Sequence, residues 1–110
     1  MEKFSLTAVA RAQLEAAHRA TSGRSATTVY GGHEHSLRQT VIAICGGREL
    51  SEHSNPGEAT VHVLTGHVVL VSEDASWEGA KGDLLVVPDA PHSLEATEDS
   101  VVLLTVAKRG

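Results

Sequence analysis

Seven of the 110 residues are histidine. Imidazole is the commonest metal ligand and the usual acid/base group near neutral pH. Six of the seven, His33, His35, His53, His62, His67 and His92, follow position 30 and are the first candidates for chemistry. A lone histidine is more often structural, so a site requires several to converge. His33-Glu34-His35 places two rings on one side of an extended segment. It is either a plain loop or a pair completing a site at a pocket mouth or across a dimer. Glu58, Thr60 and His62 likewise share a face by alternation. Arg38 and Gln39 lie at the start of an apolar stretch, and alternation sends one of them inward. An inward Arg favours a carboxylate-bearing ligand through a bidentate pair; the alternative is a surface ion pair with Glu34 or Glu49. Cys45 is the only cysteine and ends the run Val41-Ile42-Ala43-Ile44-Cys45. A core thiol is expected there, because free cysteine is among the most buried residue types. A single cysteine excludes an internal disulfide framework and a Cys-rich zinc module. Ser-His-Asp, phosphate-loop and dinucleotide motifs are absent, so no catalytic residue and no organic cofactor is assigned.

The elements that must position these groups fall into two parts. Residues 1–26 read as a helix and linker, and residues 27–110 as a β domain. Leu6, Val9, Ala10, Leu14 and Ala17 recur every three to four positions, which predicts a helix over 5–20 with one apolar stripe. Ser5 or Thr7 caps its start, Gly23 follows its end, and 21–25 is a linker. His18 lies on this helix and is expected to face solvent. Thirteen valines occur, twelve of them after residue 28. Strands are expected near 27–30, 37–45, 48–52, 59–65, 67–72, 83–88, 92–97 and 100–107, with turns at the intervening Gly, Pro, Asn and Asp residues, including 79–82. Seven or eight short strands indicate a sandwich or barrel. The unbroken apolar runs 68–71 and 101–104 suit strands covered on both faces, by the helix or by a second subunit. Trp77, in a hairpin region, is expected to cover the core.

Two stretches give the β domain a more specific character. The first has Gly47, five residues, His53, and later Gly66; the second has Gly82, five residues, Pro88, a short turn and His92. Together they resemble the two conserved motifs of the cupin superfamily, and the resemblance spans about residues 37–107. It implies an all-β fold, a double-stranded β-helix or jelly roll, here with an N-terminal α-helix. It also implies a ligand pocket inside the barrel and a metal held by three histidines and one acidic residue. This chain departs from that pattern twice. Asn55 occupies the second histidine position, and Ala59 occupies the carboxylate position. His53 and His92 remain, and two protein ligands are few for a tight site. A bulge after Pro56-Gly57 would turn Glu58, Thr60 and His62 inward and make Glu58 and His62 substitute ligands. Without a bulge they form a polar outer face, with Val61 and Val63 toward the barrel.

Composition limits the partners. Nine Lys+Arg against fourteen Asp+Glu leave a formal charge of −5, which argues against nucleic acid and against anionic lipid. No stretch reaches the ~18 apolar residues of a membrane span. The N-terminal residues show no secretory pattern, so a cytoplasmic location is expected. The resemblance points to a small-molecule partner and a homodimer. Three functions remain open. The first is a metal-dependent enzyme of dioxygenase or isomerase type, with Mn, Fe, Ni, Zn or Cu at His53 and His92 aided by His62 and Glu58, or by His33 or His35. The second is a metal-free binding module, and the third a non-catalytic dimeric scaffold.

Overall fold

The computed structural model describes residues 2–53 and 57–108, and only the backbone at 52 and 53. One helix, α1 (Leu6–Arg19), precedes nine strands: β1 (Arg24–Tyr30), β2 (Leu37–Ile44), β3 (Glu49–His53), β4 (Gly57–Thr65), β5 (His67–Ser72), β6 (Ser76–Ala80), β7 (Leu84–Val86), β8 (His92–Ala96) and β9 (Ser100–Lys108). The strands form two antiparallel sheets, ordered β1-β2-β9-β4-β7 and β3-β8-β5-β6. The chain passes repeatedly between them, as a jelly roll does.

Alternation sorts the valine-rich strands onto two cores. Ile42 and Ile44 of β2, Val61 and Val63 of β4, Val68 and Leu70 of β5, Leu94 of β8 and Val102 and Val106 of β9 fill the space between the sheets. Val41, Ala43, Val101 and Leu103 face the other way and meet Ala10 and Ala17 of α1. Ser5 starts that helix by accepting a hydrogen bond from the Ala8 N–H at 3.2 Å, as its position before the first apolar residue predicts. The unbroken run at 101–104 is therefore covered on one face by the barrel and on the other by the helix. The run at 68–71 behaves differently. Val68 and Leu70 are buried inside, while Val69 and Val71 are half-buried on the outer face.

Three local expectations need correction. β1 begins at Arg24, within the predicted linker. Strand β6 was not expected, because Gly79 read as a turn. Gly79 instead lies in the strand, buried, where a side chain would meet Leu85 Cδ1 at 3.0 Å and Val63 Cγ2 at 3.1 Å. Close approach of the facing strands, rather than turn geometry, explains this glycine. Trp77, also on β6, is 42% exposed and does not seal the core. A true turn glycine is Gly66 between β4 and β5, at φ +90°. A Cβ there would fall 2.3 Å from Ser100 Oγ and 2.4 Å from the Asp99 carbonyl. No helix among the described residues is long and apolar enough to cross a membrane.

Candidate functional site

His92 opens β8 and is 4% exposed, one of the few buried polar side chains among the described residues. Pro91 and the turn before it bring its ring back toward its own backbone, with Nδ1 2.9 Å from the Ala90 carbonyl. A carbonyl only accepts, so Nδ1 is the donor in this contact. The ring borders a cavity of about 20 Å³ between the sheets, walled by Ile42, Leu50, Val61, Leu70, Val87, Leu94, Val102 and Leu104. That is about the space of one water molecule or ion. Among the described residues the walls leave little space there for an organic ligand.

The backbone register of β3 and β8 makes His53 the partner of His92, beyond an irregularity after Leu50. The two segments that carry the sequence motifs therefore meet at these positions. The His53 side chain lies outside the described residues, as does Asn55. Ala59 is on the inner face and 6% exposed, so the position that would hold a carboxylate offers a methyl group. Arg38 pairs in register with Val106, and Val106 with Ala59. Directly opposed residues share a sheet face, so Arg38 is the inward member of the Arg38–Gln39 pair. Gln39 is outward and donates from Nε2 to Thr105 Oγ1 at 3.2 Å.

The inward row of Glu58, Thr60 and His62 does not form. β4 pairs with β9 without interruption from Gly57 to Val63, and its irregularity comes only between Val63 and Thr65. With no bulge after Gly57, Ala59, Val61 and Val63 take the inner face, and Glu58 and His62 stay outside. His62 lies opposite Leu84 and Leu103. Glu58 borders an outer cleft of about 450 Å³ along β4, β7 and β9, together with Thr60, Asp89 and Thr105. Neither residue is brought to His92. His33 and His35 are exposed in the loop between β1 and β2. His35 makes an edge contact with Tyr30, ring centroids 5.4 Å apart, and Lys108 Nζ donates to the Gly32 carbonyl at 2.7 Å. His67 Nδ1 is 2.8 Å from Thr97 Oγ1, a contact that ties β5 to the turn after β8.

One constellation escaped the sequence reading. His18, in the last turn of α1, is solvent-exposed as expected. Its Nε2 is 2.9 Å from Asp99 Oδ2, and its Nδ1 is 3.7 Å from Cys45 Sγ. Cys45 is half-buried at the margin of the helix-side core rather than fully enclosed. Its run of apolar neighbours predicted the core; the strand ends at Ile44, and the thiol emerges at the barrel rim. These residues come from three distant segments, and no spacing in the chain signals their meeting.

No protein-family model matches the chain, and no curated protein does. Solved structures do. The salicylate 1,2-dioxygenase of Pseudoaminobacter salicylatoxidans superposes with TM-score 0.77 over 96% of this chain and 35% of that one, at 20% identity, which is a likeness of fold alone. A conserved protein of unknown function from Streptococcus pyogenes, SPY1581, is 29% identical with TM-score 0.73, over 83% of this chain and 79% of that one. An RmlC-like cupin protein from Desulfovibrio desulfuricans is 30% identical with TM-score 0.67, over 76% of this chain and 81% of that one. That identity, carried across most of both chains and onto a two-sheet barrel whose motif histidines are register partners, places this chain in the cupin superfamily.

Proposed function

We propose that this chain is a small cupin holding one divalent transition metal ion at its barrel through His53 and His92, and acting there on a small organic molecule by dioxygenase- or isomerase-type chemistry. The observation that carries this reading is the orientation of His92. Its Nδ1–H goes to the Ala90 carbonyl, the outer hydrogen bond that metal-ligating histidines usually make. Two imidazoles suit Mn, Fe, Ni, Zn or Cu, and Cu or Zn best. A bound ion supplies Lewis-acid or redox chemistry to a coordinated oxygen. The chain supplies the rest. Val61, Leu70 and Val102 keep water from the inner side of the site, and Arg38, on the inner face, would receive a substrate carboxylate. With an interior of about 20 Å³, the organic molecule would be met at the barrel mouth. We place the protein in the cytoplasm as a homodimer, with no nucleic-acid partner.

A second reading rests on Ala59 and on the filled interior. A barrel without its carboxylate and with a filled interior suits a non-catalytic dimeric scaffold, while a metal-free module would take its ligand at the barrel mouth. The exposed Leu84 and Val86 of edge strand β7 would then be a contact surface. Elemental analysis of untagged Cys45→Ser protein separates the readings. About one equivalent of a transition metal, lost in a further His92→Ala substitution, supports the metal-binding cupin. No metal retained after exposure to Mn, Fe, Ni, Zn and Cu in turn removes it.

A further inference from the structure

The chain carries a second group of ligand-type side chains, outside the barrel. Cys45 Sγ, an imidazole nitrogen of His18 and a carboxylate oxygen of Asp99 all lie within 4.8 Å of one another. We propose that these three residues form a surface zinc site that clamps the end of helix α1 to the barrel rim.

The donor set selects the ion. A sulfur, an imidazole and one carboxylate are the ligands of Zn²⁺ and its borderline-soft neighbours. Mg²⁺ and Ca²⁺ require oxygen. Tetrahedral zinc with Zn–S near 2.3 Å and Zn–N near 2.0–2.1 Å places the two ligand atoms about 3.6 Å apart. His18 Nδ1 and Cys45 Sγ stand 3.7 Å apart. Thiolate and carboxylate together carry two negative charges, which match a divalent cation. Three protein ligands leave the fourth position to water, as an open zinc site does.

The backbone that carries these groups is held in place. The Cys45 N–H donates to the Gly23 carbonyl at 2.9 Å, and the Cys45 carbonyl accepts from the Arg48 N–H at 3.0 Å. Asp99 Oδ1 accepts from the Gly46 N–H at 2.9 Å, which seats the carboxylate beside the cysteine. Gly46 permits that approach, since a Cβ there would meet Glu98 Cα at 3.0 Å. His18 and Asp99 expose about half of their side chains, so both can rotate onto an ion. In its absence the imidazole bridges thiol and carboxylate by hydrogen bonds. With the ion, the end of α1, the end of β2 and the turn before β9 share one centre.

The single cysteine makes the test specific. In a cobalt titration of the full chain, any thiolate-to-cobalt charge-transfer absorption in the near ultraviolet can only come from Cys45. The expected result is a band that is bleached by zinc in the wild type, persists in His92→Ala, and saturates there at one equivalent. His18→Ala and Asp99→Ala should each weaken cobalt binding about tenfold or more, with circular dichroism confirming that the variants fold. Zinc should also slow alkylation of Cys45 in the wild type but not in His18→Ala. No band in the wild type, or a band equally strong in His18→Ala and Asp99→Ala, overturns the proposal and leaves a hydrogen-bonded thiol only. Loss of the band in His92→Ala overturns it too. The barrel reading is tested in Cys45→Ser protein, so either can fail without the other.

Discussion

Arg38 and Ala59 flank Val106 on the inner face of the five-stranded sheet, one from β2 and one from β4. A guanidinium therefore shares a sheet face with the alanine that stands at the carboxylate position of the motif. Restoring the acid, Ala59→Glu, should destabilise the metal-free protein by about 1–3 kcal/mol, because a carboxylate enters an apolar site. If His53 and His92 hold an ion nearby, the new carboxylate becomes a third ligand. Added Zn or Mn should then raise the melting temperature of Ala59→Glu more than that of the wild type. Thermal denaturation with and without metal reads both effects, and an equal shift in the two proteins would count against a metal beside position 59.

The two faces of the sheets should respond very differently to truncation. Leu70 is 1% exposed and Leu84 is 61% exposed. Leu70→Ala should cost about 2–5 kcal/mol in urea unfolding. Leu84→Ala should stay within about 0.5 kcal/mol in the monomer. A larger loss for Leu84→Ala at high protein concentration that shrinks on dilution would instead reveal that β7 is buried between two copies.

Gly66 tests the backbone at the β4–β5 turn. Its positive φ and the nearness of Ser100 Oγ and the Asp99 carbonyl leave no place for a methyl group. Gly66→Ala should destabilise by more than the ~1 kcal/mol of an ordinary glycine-to-alanine conflict. Gly82→Ala is the comparison: it also has positive φ, but nothing lies within 4 Å of its Cβ position. Equal losses in the two would mean that dihedral strain, not the Ser100 contact, dominates.

Much of the architecture follows from alternation. The β-branched runs locate β2, β4, β5 and β9, and the split of 41–44 and 101–104 between two cores follows from period two. Gly79 hid β6, because a glycine that admits a facing side chain looks locally like one that makes a turn. The candidate site was legible only as far as the two motifs reach. His53 and His92 are marked by their spacing from Gly47 and Pro88, and β-sheet register brings them opposite one another. Whether Glu58 and His62 turn inward depended on a single inserted residue. Uninterrupted pairing with β9 decides it, and that pairing has no local signature. The meeting of His18, Cys45 and Asp99 depends on where α1 docks, which the chain specifies through Ala10 and Ala17 packing rather than through any motif.

The outer-face placement of Glu58 and His62 has a simple consequence. Glu58→Ala and His62→Ala should each leave the transition-metal content of Cys45→Ser protein unchanged, as measured by elemental analysis. A loss in either would mean that β4 shifts register when the ion binds.

Coordination by both motif histidines is tested most directly by electron paramagnetic resonance of Cu²⁺ added below one equivalent to Cys45→Ser protein. The expected spectrum shows superhyperfine coupling to two imidazole nitrogens, reduced to one in His53→Ala or His92→Ala and unchanged in His33→Ala and His35→Ala. A spectrum without nitrogen coupling, or one that changes only when the exposed loop histidines are removed, would contradict a metal centre at the barrel.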